Sequence, residues 1–191
     1  MPDFKPRPYQ SDADQEANLL EFKRHIEDID FARWIPARSF NSASGATEGV
    51  YAGGPYWNLA DAANQDIVAT HNVPTYWNVG KILMRVYYTG TASSTANFNV
   101  TLRISVFDRG GTALTTAAGD GTGTQTVNLP GPATADELVA YTMTSAGWYS
   151  KTTADDLIAV TVLRNGNAGG DANTGSMRIL GVLLQFYPTR R

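Results

Sequence analysis

The stretch that most limits what this chain can become is its last apolar run, Met177-Arg178-Ile179-Leu180-Gly181-Val182-Leu183-Leu184-Gln185-Phe186-Tyr187, closed by Pro188. Drawn as an extended chain, it puts Arg178, Leu180, Val182, Leu184 and Phe186 on one face and Met177, Ile179, Gly181, Leu183, Gln185 and Tyr187 on the other. Both faces are mostly apolar. Gly181 in mid-run argues against a helix, and the β-branched and aromatic residues around it favour a strand. Such a strand belongs in the middle of a sheet, with a second layer over one face and a further surface, such as a neighbouring subunit, over part of the other.

Composition agrees with a β protein. Charged residues are only 17% of the 191, while glycine reaches 18 copies and small polar residues crowd the loops, the profile of a chain with many turns. That length suits one domain with an appendage and permits a sizeable core. A net charge of −3 supplies no basic face for nucleic acid. No apolar run has the length to span a membrane and no N-terminal apolar signal segment is present, so no membrane partner is expected. With no cysteine there are no disulfides or thiolate metal sites, and stability must rest on burial and on self-association.

Met1 to Gln10 carries Pro2, Pro6 and Pro8 with Phe4 and Tyr9 between them, which predicts an extended arm. Ser11 then offers an N-cap, and a helix is expected from about Asp12 to Asp30. Its stripe is Leu19, Phe22, Ile26 and Ile29, spaced 3, 4 and 3. That stripe lasts less than two heptads, so the helix should form only when docked. Residues 1–30 therefore read as an anchoring segment, with Phe4, Tyr9, Leu19, Phe22, Ile26 and Ile29 as its partner-binding side chains, and residues 31–191 as a β-sandwich.

Within the sandwich, Phe31 to Phe40 reads as a lead-in or edge strand demoted by Pro36. Asn41 to Pro55 reads as loop around a short strand at Gly49–Ala52. Strands are expected at Asp66–His71, Val79–Thr89, Asn97–Asp108, Gln125–Leu129, Glu137–Thr144, Leu157–Leu163 and Met177–Tyr187. Two alternate cleanly. Phe98, Val100, Leu102, Ile104 and Val106 oppose Asn99, Thr101, Arg103 and Ser105; Ile82, Met84, Val86 and Tyr88 oppose Lys81, Leu83, Arg85 and Tyr87. Seven or eight strands with irregular connections predict a mainly β fold, a jelly-roll-like sandwich behind an N-terminal extended arm and one α-helix.

The chemistry-bearing residues are sparse. His25 reads as an exposed helix residue and His71 as a strand-end residue, and no Gly-x-Ser-x-Gly elbow accompanies them. Asp155 and Asp156 are adjacent before a strand, so they point opposite ways and suit a solvated turn better than a shared acid–base task. The loop Asn165 to Asn173 offers oxygens, but without the terminal glutamate and the extra carboxylates of a calcium loop. No catalytic residue, cofactor or metal is expected. Three aromatic pairs stand beside loops: Tyr56-Trp57, Tyr76-Trp77 and Trp148-Tyr149. Such rings fill a core end, meet a neighbouring subunit, or stack on a sugar.

The lead-in Trp34-Ile35-Pro36-Ala37-Arg38, strands of the Ile82–Tyr88 kind and the final Leu180-Gly181-Val182-Leu183-Leu184-Gln185-Phe186-Tyr187 resemble a group of tailed-phage virion proteins. The resemblance implies a jelly-roll domain that trimerises on a virion, as a capsid decoration (cement) protein, head fibre or tail fibre, and it brings no catalytic residues. Its implied partners are further copies of itself and the major capsid or another virion protein. The alternative it leaves is a receptor-binding fibre that holds a host glycan.

Overall fold

A computed structural model describes residues 32–42, 44–51, 53–72, 79–107, 114–115, 124–143, 147–150 and 157–188. Their strands are β1 (Ala32–Pro36), β2 (Thr47–Tyr51), β3 (Gly54–Leu59), β4 (Asn64–Asn72), β5 (Val79–Gly90) and β6 (Phe98–Phe107), then β7 (Leu114–Thr115), β8 (Thr124–Leu129), β9 (Val139–Thr142), β10 (Gly147–Ser150), β11 (Leu157–Asn165) and β12 (Met177–Pro188). One 3-10 turn, Ala37–Ser39, follows β1. The chain divides into two compact units, Met1–Arg33 and Trp34–Arg191. The predicted arm and helix, with Phe4, Tyr9, Leu19, Phe22, Ile26 and Ile29, lie outside the described residues, as do His25, Tyr76, Trp77, Asp155 and Asp156.

Two sheets carry the fold. The larger has the order β10-β5-β12-β3-β2, with β9 also on β5 and β1 also on β12. The smaller has the order β4-β11-β6-β7, with β8 also on β6. The long strands thus share one edge between two short partners: β6 pairs with β8 through Phe98–Arg103 and with β7 through Val106–Phe107. The alternation read from the sequence becomes the core. Ile82, Met84, Val86 and Tyr88 of β5 and Phe98, Val100, Leu102 and Ile104 of β6 are all fully buried. The Tyr88 ring meets Phe98 edge-on with centroids 6.2 Å apart, and its hydroxyl donates to the Pro130 carbonyl at 2.9 Å. The expected wet face of β6 is stitched across strands instead of bare. Thr101 meets Thr126 at 2.8 Å, and the Asn99 amide links Asn128 and Asn165 at 2.8 Å each. The fold is a mainly β sandwich of jelly-roll type.

Three short strands were not expected from the sequence. The stretch Asn41 to Pro55, read as loop around a short strand at Gly49–Ala52, holds that strand as β2 (Thr47–Tyr51) and also the unexpected start of β3, turned by Gly53 at φ +81. Pro55 is tolerated because it sits second in β3, where the ladder is just beginning. β7 and β10 are too short to leave a periodic signal.

The last strand corrects the expected facing. Its pairing with β5 slips between Ile179 and Gly181, a β-bulge. One extra residue exchanges the two faces. The inward set is therefore Met177, Ile179, Val182, Leu184 and Phe186, all fully buried. Outward stand Arg178, Leu183 and Gln185, half-buried, and Tyr187, 46% exposed. The strand looked apolar on both faces because its pattern changes phase at the bulge. The run therefore supplies no separate argument for a covering subunit.

Gly181 marks the outer side of that bulge. A Cβ built there would fall inside the Trp34 indole and lie 2.8 Å from the Ile35 carbonyl oxygen. The missing side chain lets Trp34 lie on β12, edge-on to Tyr87 with centroids 5.4 Å apart. Gly181→Val should destabilise the sandwich by about 1–3 kcal/mol through overpacking. Urea unfolding checks this, and an unchanged midpoint would mean that Trp34 moves aside freely.

Candidate functional site

Of the three aromatic pairs, only Tyr56-Trp57 has both side chains described. Neighbouring residues on β3 point to opposite faces, and the two rings separate accordingly. Trp57 turns inward and is 8% exposed, with its indole N–H donating to the Ala37 carbonyl at 2.8 Å. That bond ties β3 to the 3-10 turn, whose Ala37 is also buried. Tyr56 turns outward over its cross-strand partner Gly49, where any Cβ would meet the phenol ring. The Arg178 guanidinium lies over the Tyr56 ring, 5.0 Å from its centroid, and is ion-paired with Asp136. Trp148 and Tyr149 sit in β10, opposite Lys81 and Gly80 of β5.

The β2–β3 hairpin ends the larger sheet, since β2 is its terminal strand. On the face opposite Tyr56 it carries two same-face cross-strand pairs, Glu48 with Trp57 and Val50 with Pro55. With Arg38 of the 3-10 turn, these side chains line an open cleft of about 240 Å³. Val50 is 67% exposed. Glu48 and Arg38 are both exposed, and neither side chain has an ion pair among the described residues. An apolar floor therefore lies beside one carboxylate and one guanidinium whose hydrogen-bonding capacity the described residues do not use. The sequence marked Trp57 but gave no sign of Glu48, Val50 or Arg38, because only the hairpin register brings them together.

The loop considered for calcium is organised by a cation of the protein itself. Arg164, at the end of β11, is fully buried. Its Nε and Nη2 donate to the two carboxylate oxygens of Asp171 at 2.9 and 2.8 Å. Nη1 donates to the carbonyls of Leu59 and Gly175 at 3.0 and 2.7 Å, and Nη2 to that of Asn173 at 2.5 Å. Phe98 lies under the guanidinium at 4.9 Å. Asp171, the loop's one carboxylate, is fully buried as well. The buried Asn173 continues the network, donating to the carbonyls of Ser94 and Ala96 and accepting from the Gly175 amide. Both carboxylate oxygens of Asp171 and the Asn173 carbonyl thus have an internal donor. His71 lies in β4 opposite Ile158, half-buried.

No protein-family model matches the chain, and no curated protein matches its sequence. Solved structures do. The fold is similar to CBM35 from Cellvibrio japonicus Abf62, with a TM-score of 0.53 and 16% identity, covering 84% of this chain and 96% of that one. It is similar to a family 35 carbohydrate binding module from Clostridium thermocellum, TM-score 0.52 and 12% identity, covering 83% and 98%. It is also similar to part of the mosquito-larvicidal Cry4Aa toxin from Bacillus thuringiensis, TM-score 0.52 and 16% identity, covering 83% of this chain and 24% of the toxin. The likeness is one of fold. Its appearance in a binding module and in a toxin illustrates how one sandwich serves unrelated tasks.

Proposed function

We propose that this chain is a non-enzymatic structural protein of a tailed-phage virion, a capsid decoration protein that stabilises the shell. One observation carries the reading. Two of the stretches on which the resemblance rests, Trp34 to Arg38 and Leu180 to Tyr187, lie about 140 residues apart in sequence, yet β1 pairs with β12 and Trp34 lies on Gly181. They are two halves of one packed unit, and that shared packing is the support the reading has. In this reading residues 1–30 fasten the protein to the major capsid protein or another virion protein, and the sandwich faces outward. A protein that binds only the assembled lattice stabilises that lattice by mass action. A homotrimer fastens three such segments at once and gains avidity without any stronger contact. Sedimentation as a clean monomer, both free and after release from particles, would remove the trimer.

Deleting residues 1–30 should leave a folded β domain that no longer attaches to particles. Within the intact chain, Phe22→Ala with Ile26→Ala should weaken attachment by several kcal/mol, since such truncations at buried sites cost about 2–5 kcal/mol each. Full occupancy by the truncated protein on particles would place the anchor elsewhere. Hydrolysis of host polysaccharide, lost on a single carboxylate change, would overturn the non-enzymatic reading.

A second reading has its own support: a head or tail fibre whose sandwich recognises a host surface glycan. The fold similarity to proteins named as carbohydrate-binding modules favours it, and so does an open cleft with an aromatic residue in its lining. Glycan-array binding by the intact chain separates it from a purely structural role.

A further inference from the structure

We infer that the cleft between the β2–β3 hairpin and the Ala37–Ser39 turn is a binding site for one uncharged sugar ring, an assignment that rests on the glycan-recognition reading. About 240 Å³ falls below the roughly 300–1,000 Å³ of sites that enclose drug-sized ligands, which suits a single ring. Val50 and Pro55 face each other across the hairpin, with the edge of Trp57 beside them, a small apolar surface for the C–H face of a pyranose. Trp57 is held by its bond to Ala37, so the floor is fixed before any ligand arrives.

The polar groups set the ligand's chemistry. Glu48 can only accept and Arg38 can only donate, and a sugar hydroxyl does both. Because the two charges are opposite, the described lining carries no net charge to favour an anion. A carboxylate-bearing sugar would gain Arg38 but face Glu48, so a neutral ring is the better fit. An extended peptide would leave the cleft's carboxylate and guanidinium unused, and it would seek instead the outer edge of β2, which pairs with no further strand among the described residues.

The test uses the full-length chain labelled with ¹⁵N, titrated with glucose, galactose, mannose, N-acetylglucosamine and glucuronic acid. The Trp57 indole signal is assigned by its loss in Trp57→Phe. At least one neutral sugar should shift that indole and the amides of Glu48 and Val50, with affinity in the millimolar range, and glucuronic acid should bind more weakly. Glu48→Ala and Arg38→Ala should each weaken binding about tenfold or more, as expected for hydrogen bonds to charged groups. Both sites are exposed, and an unchanged urea midpoint verifies the fold. If sugars bind but shift signals elsewhere, or bind these variants unchanged, the cleft is not the site although glycan recognition stands. Preference for glucuronic acid would overturn the role given to Glu48. If the chain binds none of these sugars and no glycan on an array, the cleft assignment and the glycan reading fall together.

Discussion

Replacing Arg164 by methionine will lower the unfolding free energy by about 3–5 kcal/mol, the cost of removing one partner from a buried ion pair. Methionine fills much of the same space, so the loss comes from polar groups and not from a cavity. Asp171 would remain fully buried without its cation, and the carbonyls of Leu59, Asn173 and Gly175 would each lose a donor. Arg164→Lys should recover only part, because an ammonium cannot reproduce the two parallel bonds to Asp171 while also reaching three carbonyls. Adding Asp171→Asn to the methionine variant should restore part of the stability by removing the stranded charge. Urea unfolding of the two single variants and the double variant gives the coupling directly. Additive losses would show that the pair is not the centre of the network.

Trp57→Ala should cost about 3–5 kcal/mol, since a large aromatic leaves a buried place between β3 and the 3-10 turn. The effect should extend beyond the cavity. Trp57 holds the turn through Ala37, and the turn closes that end of the core with the buried Phe40. Trp57→Phe separates the two contributions. The ring is largely kept, and the Ala37 carbonyl retains the Phe40 amide at 3.1 Å, so the lost bond should cost only about 1 kcal/mol. Thermal or urea unfolding of both variants checks this. Equal losses for alanine and phenylalanine would place the weight on the hydrogen bond and not on packing.

Much of the core was legible in the residues alone. Phe98 to Ile104 and Ile82 to Tyr88 alternate with period two, and an alternating run has only one way to bury its apolar side. The two-layer β class followed, because such strands bury their faces only against another sheet. The sequence by itself also singled out Trp57, which lines the cleft.

What it did not contain was phase and partnership. The facing of Met177 to Tyr187 depends on a bulge, and a bulge is decided by the pairing with β5, not by the strand's own residues. Arg164 reads as the polar end of an apolar strand. Only the folding back of the loop brings Asp171 and three carbonyls around it, from positions as distant as Leu59. Glu48, Val50 and Arg38 carry no motif, and they line one cleft because a hairpin register and a turn place them there. Local pattern fixes which faces are apolar, since each residue's transfer from water is its own property. Which residues meet across a sheet or a loop is a property of the closed fold, and tertiary structure alone decided it.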